Sequence, residues 1–275
     1  MWPRGASNRI QVLPDREMRN VKRTSLNRIC DISDWRVGDH LSEIMKALNE
    51  GVYIHRKSWE YALCIYGLEK LEMVKPFSKA LAVGAGYERP LYYFSNYIDN
   101  MVATDLYNDE EHEGKPSMLF NPRLFAPFDY REDHLIVQRM DGTNLEFDDN
   151  VFNFAFSLSS IEHFGSKENS KKSIKEMTRV LLPGGVMCIA TEIILNKSKH
   201  YEYFTLEEIE YYILGNSDLR LVGGDIDLRI SKSLFENPIR LDVETELNVS
   251  PHIVLSDGEV VWTSIIMFLQ KDPLS

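Results

Sequence analysis

No stretch of this 275-residue chain approaches the roughly 18 apolar residues that a membrane span requires. Its opening residues, MWPRGASNRIQVLPDREMRN, hold no apolar core of the signal-peptide kind. A cytosolic, cytoplasmic protein with no membrane partner is therefore expected. Cysteine is scarce: Cys30, Cys64 and Cys188 stand far apart with no C-x-x-C pair, which gives no sign of a disulfide framework or a cysteine zinc site and points to buried thiols. The seven histidines form no H-E-x-x-H or H-x-H pattern. The segment DEEHEG at 109–114 gathers carboxylates around His112, and a solvated acidic loop is its expected form, with no metal site. Internal repeats and low-complexity blocks are missing too.

Positive charge is also in short supply. The chain has 31 Lys and Arg against 42 Asp and Glu, a formal net charge of −11. Residues 1–75 hold 13 of the basic and only 10 of the acidic residues, so the acid excess lies downstream. Such a surface repels phosphate backbones, whose neutralisation by Lys and Arg is the main source of nucleic-acid affinity. A small-molecule acceptor or ligand, and no nucleic acid, is the partner expected from this balance. The seven basic residues among the first 28 are interleaved with Asp15 and Glu17, which suits a flexible or partly docked tail.

What is present divides near Pro76. Before it, Asp39 is placed to cap a helix carrying Leu41, Ile44, Met45 and Leu48, with Gly51 where that helix would stop. A second helix is expected from Ser58, with Trp59, Ala62, Leu63 and Tyr66 on one face. After Pro76, short apolar runs alternate with helical stretches: 79–84, 101–105, 135–140, 151–157, 186–192, 219–227 and 260–270. That rhythm predicts an α/β fold with seven strands in a mostly parallel sheet and helices on both faces. Pro183-Gly184-Gly185 is expected to end a helix and turn the chain into the fifth strand. The division is thus an N-terminal helical extension over 1–75 and a main domain over 76–275, whose segment 229–259 breaks the rhythm as a late insert and candidate lid.

The sharpest chemistry lies at the ends of the first four strands. LAVGAGYE at 81–88 runs from a strand through Gly84 and Gly86 toward a helix, a turn whose backbone passes within contact distance of a ligand. Twenty-one residues beyond Gly84, Asp105 ends the second strand, where a carboxylate accepts hydrogen bonds from ribose hydroxyls, and Leu106 continues with apolar character. The third strand opens into Met140-Asp141-Gly142, and the fourth into Ser157-Leu158-Ser159-Ser160-Ile161-Glu162-His163.

In this order and spacing, the four segments resemble the class I S-adenosylmethionine-dependent methyltransferases, in particular the small-molecule group with D-G-x-x-L-x-F and S-x-I-E-H motifs. The resemblance covers about 77–227 and includes R-V-L-L-P-G-G at 179–185. It implies a Rossmann-like fold with strand seven inserted antiparallel between five and six. It also implies S-adenosyl-L-methionine as cofactor. Gly84 and Gly86 would flank the methionine moiety, Asp105 hold the ribose, Met140, Asp141 and Gly142 frame adenine, and Ser157 lie near the sulfonium. The family often has an acidic residue where Ala82 stands and a third glycine where Glu88 stands, so Glu88 is a candidate partner for the cofactor's amino group. Tyr53 and Trp59 are considered as further cofactor contacts, with Trp59 better suited to the core.

Methyl transfer from a sulfonium is an in-line displacement that needs positioning and exclusion of water, and a base only where the acceptor starts protonated. His163 is the first choice of base, with Glu162 and Glu192 beside it; each also has a purely structural reading. A hydroxyl acceptor on a sugar or secondary metabolite is preferred to an amine. Two other classes are weighed. A nicotinamide oxidoreductase lacks here the full G-x-G-x-x-G and a Y-x-x-x-K pair, while a catalytically inactive cofactor- or partner-binding homologue is consistent with Ala82 and Glu88. A nucleic-acid methyltransferase is disfavoured by the acidic balance and by LSSIEHF standing where an N-P-P-[YF] motif would be.

Overall fold

A computed structural model describes residues 9–35, 40–50, 54–107, 117–215, 218–243 and 249–273. The expectations for Asp39, Gly51, Tyr53 and the DEEHEG segment lie outside these residues.

The chain begins with strand β1 (Gln11–Leu13), helix α1 (Asp15–Asn20) and strand β2 (Arg28–Ile29), followed by helices α2 (His40–Ala47) and α3 (Arg56–Lys70). α3 starts two residues before Ser58 because the His55 imidazole accepts the Lys57 N–H at 3.0 Å and so satisfies one of the free donors of the first turn. It is buried well beyond a single stripe, with Trp59, Glu60, Leu63, Cys64 and Ile65 all fully enclosed. Gly67 allows this, since a Cβ there would come within 2.1 Å of the Phe268 ring. Trp59 is a core residue, its indole N–H donating to Asp34 at 2.8 Å.

From Lys79 the elements alternate: β3 (Lys79–Val83), α4 (Arg89–Ser95), β4 (Asn100–Asp105), β5 (Leu135–Arg139), β6 (Phe152–Leu158), α5 (Lys167–Val180) and β7 (Leu181–Ile194). After the short helical turn α6 (Leu206–Glu208) come β8 (Leu219–Leu221), β9 (Arg229–Ser231), α7 (Lys232–Glu236), β10 (Ile239–Arg240), β11 (Leu255–Ser256) and β12 (Val261–Lys271). The main sheet runs β10-β11-β12-β7-β6-β3-β4-β5, and β7, β6, β3, β4 and β5 are parallel. From β3 the chain moves one way to β4, and from β6 it moves the other way to β7. Right-handed crossovers therefore place α4 and α5 on opposite faces and open a crevice at the carboxyl ends of β3 and β6.

β12 is antiparallel to β7, from Trp262 opposite Ile194 to Gln270 opposite Val186. Its other edge is shared by three short strands in turn: β11 at Val261 and Trp262, β2 at Ile265 and Ile266, and β8 at Leu269 to Lys271. The expected insertion of the last strand between the fifth and the sixth is thus present. The sixth strand is shorter than the apolar run 219–227 predicted, because Gly223 and Gly224 take φ of 81° and 110° and turn the chain out of the sheet. Pro183-Gly184-Gly185 does not precede the fifth strand but bulges within it: Leu181 already pairs with Phe152, and regular pairing resumes at Val186 with Phe154.

The N-terminal segment is docked from residue 9 onward. β1 pairs with β9, and Asn27 clamps two strands, accepting the Phe268 N–H at 2.7 Å and donating to the Val222 carbonyl at 2.7 Å. The segment 229–259, in its described part, carries β9, α7, β10 and β11. His252 in it exchanges backbone hydrogen bonds with Ile54 and Arg56 at the start of α3.

Candidate active site

At the end of β3, Gly84 and Gly86 take φ of 65° and 48°. A Cβ on Gly84 would also lie 2.6 Å from Ser160 Cβ, while the Ser160 hydroxyl donates to the Gly84 carbonyl at 2.7 Å. The turn of β3 and the end of β6 are thereby pinned together. At Gly86 an added Cβ meets nothing within 4 Å, so this part of the turn faces open space.

Asp105 ties the end of β4 to the same turn. Its Oδ2 accepts the Gly86 N–H at 2.8 Å and its Oδ1 the Leu106 N–H at 2.6 Å, while the Tyr107 hydroxyl donates to the Gly86 carbonyl at 2.6 Å. A carboxylate offers about four acceptor sites, so two remain for hydroxyl donors. Beyond β5, Asp141 Oδ1 accepts the Thr143 N–H at 2.8 Å, which folds Met140 to Asn144 into a tight turn. Gly142 packs where a Cβ would press on Val83 and Phe164 at 2.7 and 2.8 Å.

Gly84, Asp105, Leu106, Met140, Asp141, Gly142 and His163 all line one cleft of about 390 Å³, with Ser160, Phe164 and Asn169. Six predicted cofactor residues and one predicted base are thus brought together. Ser157 is not among the lining residues: it lies inside β6, 1% exposed, and Ser160 three residues on is the serine that reaches the cleft. His163 is half exposed and its Nδ1 lies 3.1 Å from Glu202 Oε1. Glu162 and Glu192 are buried behind the lining.

Behind the turn lies a group of charges whose cations did not emerge from the sequence. Lys57, from the first turn of α3, reaches Glu88 at 2.7 Å, Glu60 at 3.3 Å and the Leu158 carbonyl at 2.6 Å. Burial pushes the Glu88 carboxyl up to about 7, with Lys57 pulling in the opposite direction. Arg56 binds Glu192 and Ser264, and Glu60 accepts from Ser264 and, at 2.9 Å, from Ser159. Ser159 is held at φ 49°, a backbone conformation a serine rarely adopts, at the point where β6 meets this group. Glu162 accepts the Thr191 hydroxyl at 3.0 Å, and burial together with the neighbouring Glu192 raises its carboxyl to about 8. The one sequence signal was Glu60, a carboxylate at the centre of an apolar helical run.

Comparison with known proteins agrees with this architecture. Residues 81–189 match the family model for a methyltransferase domain. The YcgJ protein of Bacillus subtilis superposes with a TM-score of 0.50 at 14% identity, over 78% of this chain and 98% of that one. A chain from the complex of the Haloferax volcanii Trm112 methyltransferase activator with its methyltransferase gives 0.51 at 16% identity, over 86% and 98%. Among curated proteins, "Probable tRNA methyltransferase 9B" of Bos taurus is 40% identical over 66 residues, 24% of this chain and 15% of that one. The Homo sapiens protein of the same name is 40% identical over 62 residues. The matched segment thus spans about 15% of the length of these relatives.

These relatives correct one expectation. The acidic balance was read as excluding nucleic acid in favour of a small-molecule acceptor, yet the relatives matched are named for transfer RNA. Net charge is a sum over the whole surface, whereas contact with a phosphate backbone needs only a local patch. No helix among the described residues is long and apolar enough to cross a membrane. Strand order, glycine turn and cleft thus agree with the match of residues 81–189 to a methyltransferase domain.

Proposed function

We propose that this chain transfers a methyl group from S-adenosylmethionine to RNA, to a hydroxyl in preference to an amine. The observation that carries the donor half is the turn at Gly84 and Gly86, locked to Asp105 through the Gly86 N–H, with Gly84 and Asp105 both lining the cleft. The residues fit the cofactor: a cleft of about 390 Å³ lies within the range of small-ligand sites. Asp105 retains acceptor capacity for ribose hydroxyls, and Leu106, Met140, Asp141 and Gly142 flank the position of a purine. Glu88, beside the turn, is the acid nearest to it in the chain, although it is bound by Lys57 at 2.7 Å and does not line the cleft. The names of the curated relatives support RNA as acceptor.

The bound cofactor supplies a methyl group on a positively charged sulfur, and the chain supplies placement and proton transfer. His163 takes the acceptor's proton, because it alone of His163, Glu162 and Glu192 lines the cleft, and Glu202 orients its ring through Nδ1. Ser160 and Phe164 hold the wall against which the acceptor is placed.

Incubation with tritiated S-adenosylmethionine and unfractionated tRNA tests the reading. Label in a tRNA nucleoside is the expected result, and His163→Ala should lower its rate by about 10²-fold or more. Cofactor binding with no label transferred to RNA overturns the acceptor; no cofactor binding overturns the whole reading.

A further inference from the structure

The group behind the glycine turn has an unequal charge balance. Glu60, Glu88, Glu162 and Glu192 are all at most 9% exposed, and two cations, Arg56 and Lys57, face them. Glu162 Oε1 and Glu192 Oε2 are buried with no hydrogen-bond partner. A buried carboxylate oxygen without a partner is costly, and four buried carboxylates against two cations cannot all stay ionised without a further cation or a proton. Other titratable groups do not restore the balance. Tyr61 faces the group from α3, Tyr203 from the segment after β7, Asp105 lies beyond Glu88, and the stacked His55 and His252 stand at its rim. Burial, joined by Arg56, keeps both histidines below their usual range and so neutral.

We propose that Glu60, Glu88, Glu162 and Glu192, with Arg56 and Lys57, form a charged group behind the cleft wall that holds a proton in the free protein and releases it when the sulfonium-bearing donor binds in the cleft. The proton leaves a carboxyl oxygen for solvent, and the positive charge of the donor takes its place as counter-ion. Glu88 puts one end of the group beside the glycine turn, and Glu162 puts the other beside His163. S-adenosylhomocysteine, which has the same ammonium and carboxylate but no positive sulfur, leaves more of the proton in place. The group thereby distinguishes donor from product by charge. The inference rests on the donor assignment above.

Calorimetric titration of the full chain at pH 7 with S-adenosylmethionine and with S-adenosylhomocysteine, each in phosphate and in Tris, counts the protons released. The donor is expected to release about one proton more than the product, and Glu162→Gln to abolish that difference. Equal proton counts for two ligands that both bind overturn this inference alone. Binding of neither overturns the donor assignment and this inference with it. The comparison on the unaltered chain decides the matter even if the variant does not fold.

Discussion

Two buried ionic groups stand on different parts of this molecule, and they are built on opposite principles. In the first, Arg23 binds Asp34 at 2.9 Å and Asp227 at 3.2 Å, Arg28 lies 3.4 Å from Asp34, and Arg229 closes on Asp227 at 2.7 Å. Asp31 accepts from Ser231 and Ser33, so three arginines meet three aspartates. Burial alone would raise Asp227, but bonds from Arg229 and the charge of Arg23 hold it at about 2. In the second, behind the glycine turn, four glutamates meet two cations and Glu162 is pushed up to about 8. Balanced charge fixes the N-terminal segment to the sheet. Unbalanced charge leaves Glu162 Oε1 and Glu192 Oε2 buried without a hydrogen-bond partner.

The largest effect is expected from breaking the balanced group. Arg23→Ala leaves Asp34 and Asp227 buried with one fewer cation and should cost about 3–5 kcal/mol in urea unfolding. The unbalanced group should respond the other way. Glu162→Gln removes a surplus charge and should raise stability at pH 9 by roughly 1–3 kcal/mol.

Stability against pH sharpens the contrast. Asp227 has a folded value below its unfolded one, so its contribution is present above about pH 4 and is lost as pH falls toward 2. Glu162 has a folded value above its unfolded one, so the folded state holds the extra proton and stability declines as pH rises from about 4.5 to 8. Glu162→Gln should flatten the alkaline decline and leave the acid limb as it was; a variant that keeps the alkaline slope would show that another group carries it. The smallest effect is expected from Arg229→Ala, since this side chain is 35% exposed and Arg23 still holds Asp227. A loss of at most about 1 kcal/mol is predicted.

The sequence showed the part of the site that local chemistry determines. A turn that needs Gly84 and Gly86 announces itself in the glycines, and Asp105 follows at the distance one strand-helix-strand unit requires. Strands β3, β4, β6, β7 and β12 were legible because each is buried on both faces and reads as a nearly continuous apolar run. The charged group was not, since Arg56 and Lys57 meet Glu192 and Glu88 only when α3 lies over β6, β7 and β12. No spacing along the chain encodes that contact. Helical periodicity placed Trp59, Ala62 and Leu63 on a buried face but gave no reason to bury Glu60 with them. The bulge at Pro183-Gly184-Gly185 was misplaced because helix stop and strand bulge use the same residues.

The late strand β12 has its outer edge covered piecewise by β11, β2 and β8, and Asn27 in the β2 region bonds to Phe268, 241 positions away. Until β12 has been synthesised, the segment around β2 has no ladder to join, and β7 presents an open edge. Closing a contact across nearly the whole chain carries a large loop-entropy cost, which makes it a late event in folding. On the ribosome, the early segment must therefore remain unpaired while almost all of the sheet is produced. The emerging chain is most exposed to mispairing and to chaperone capture in the interval before its final strand appears.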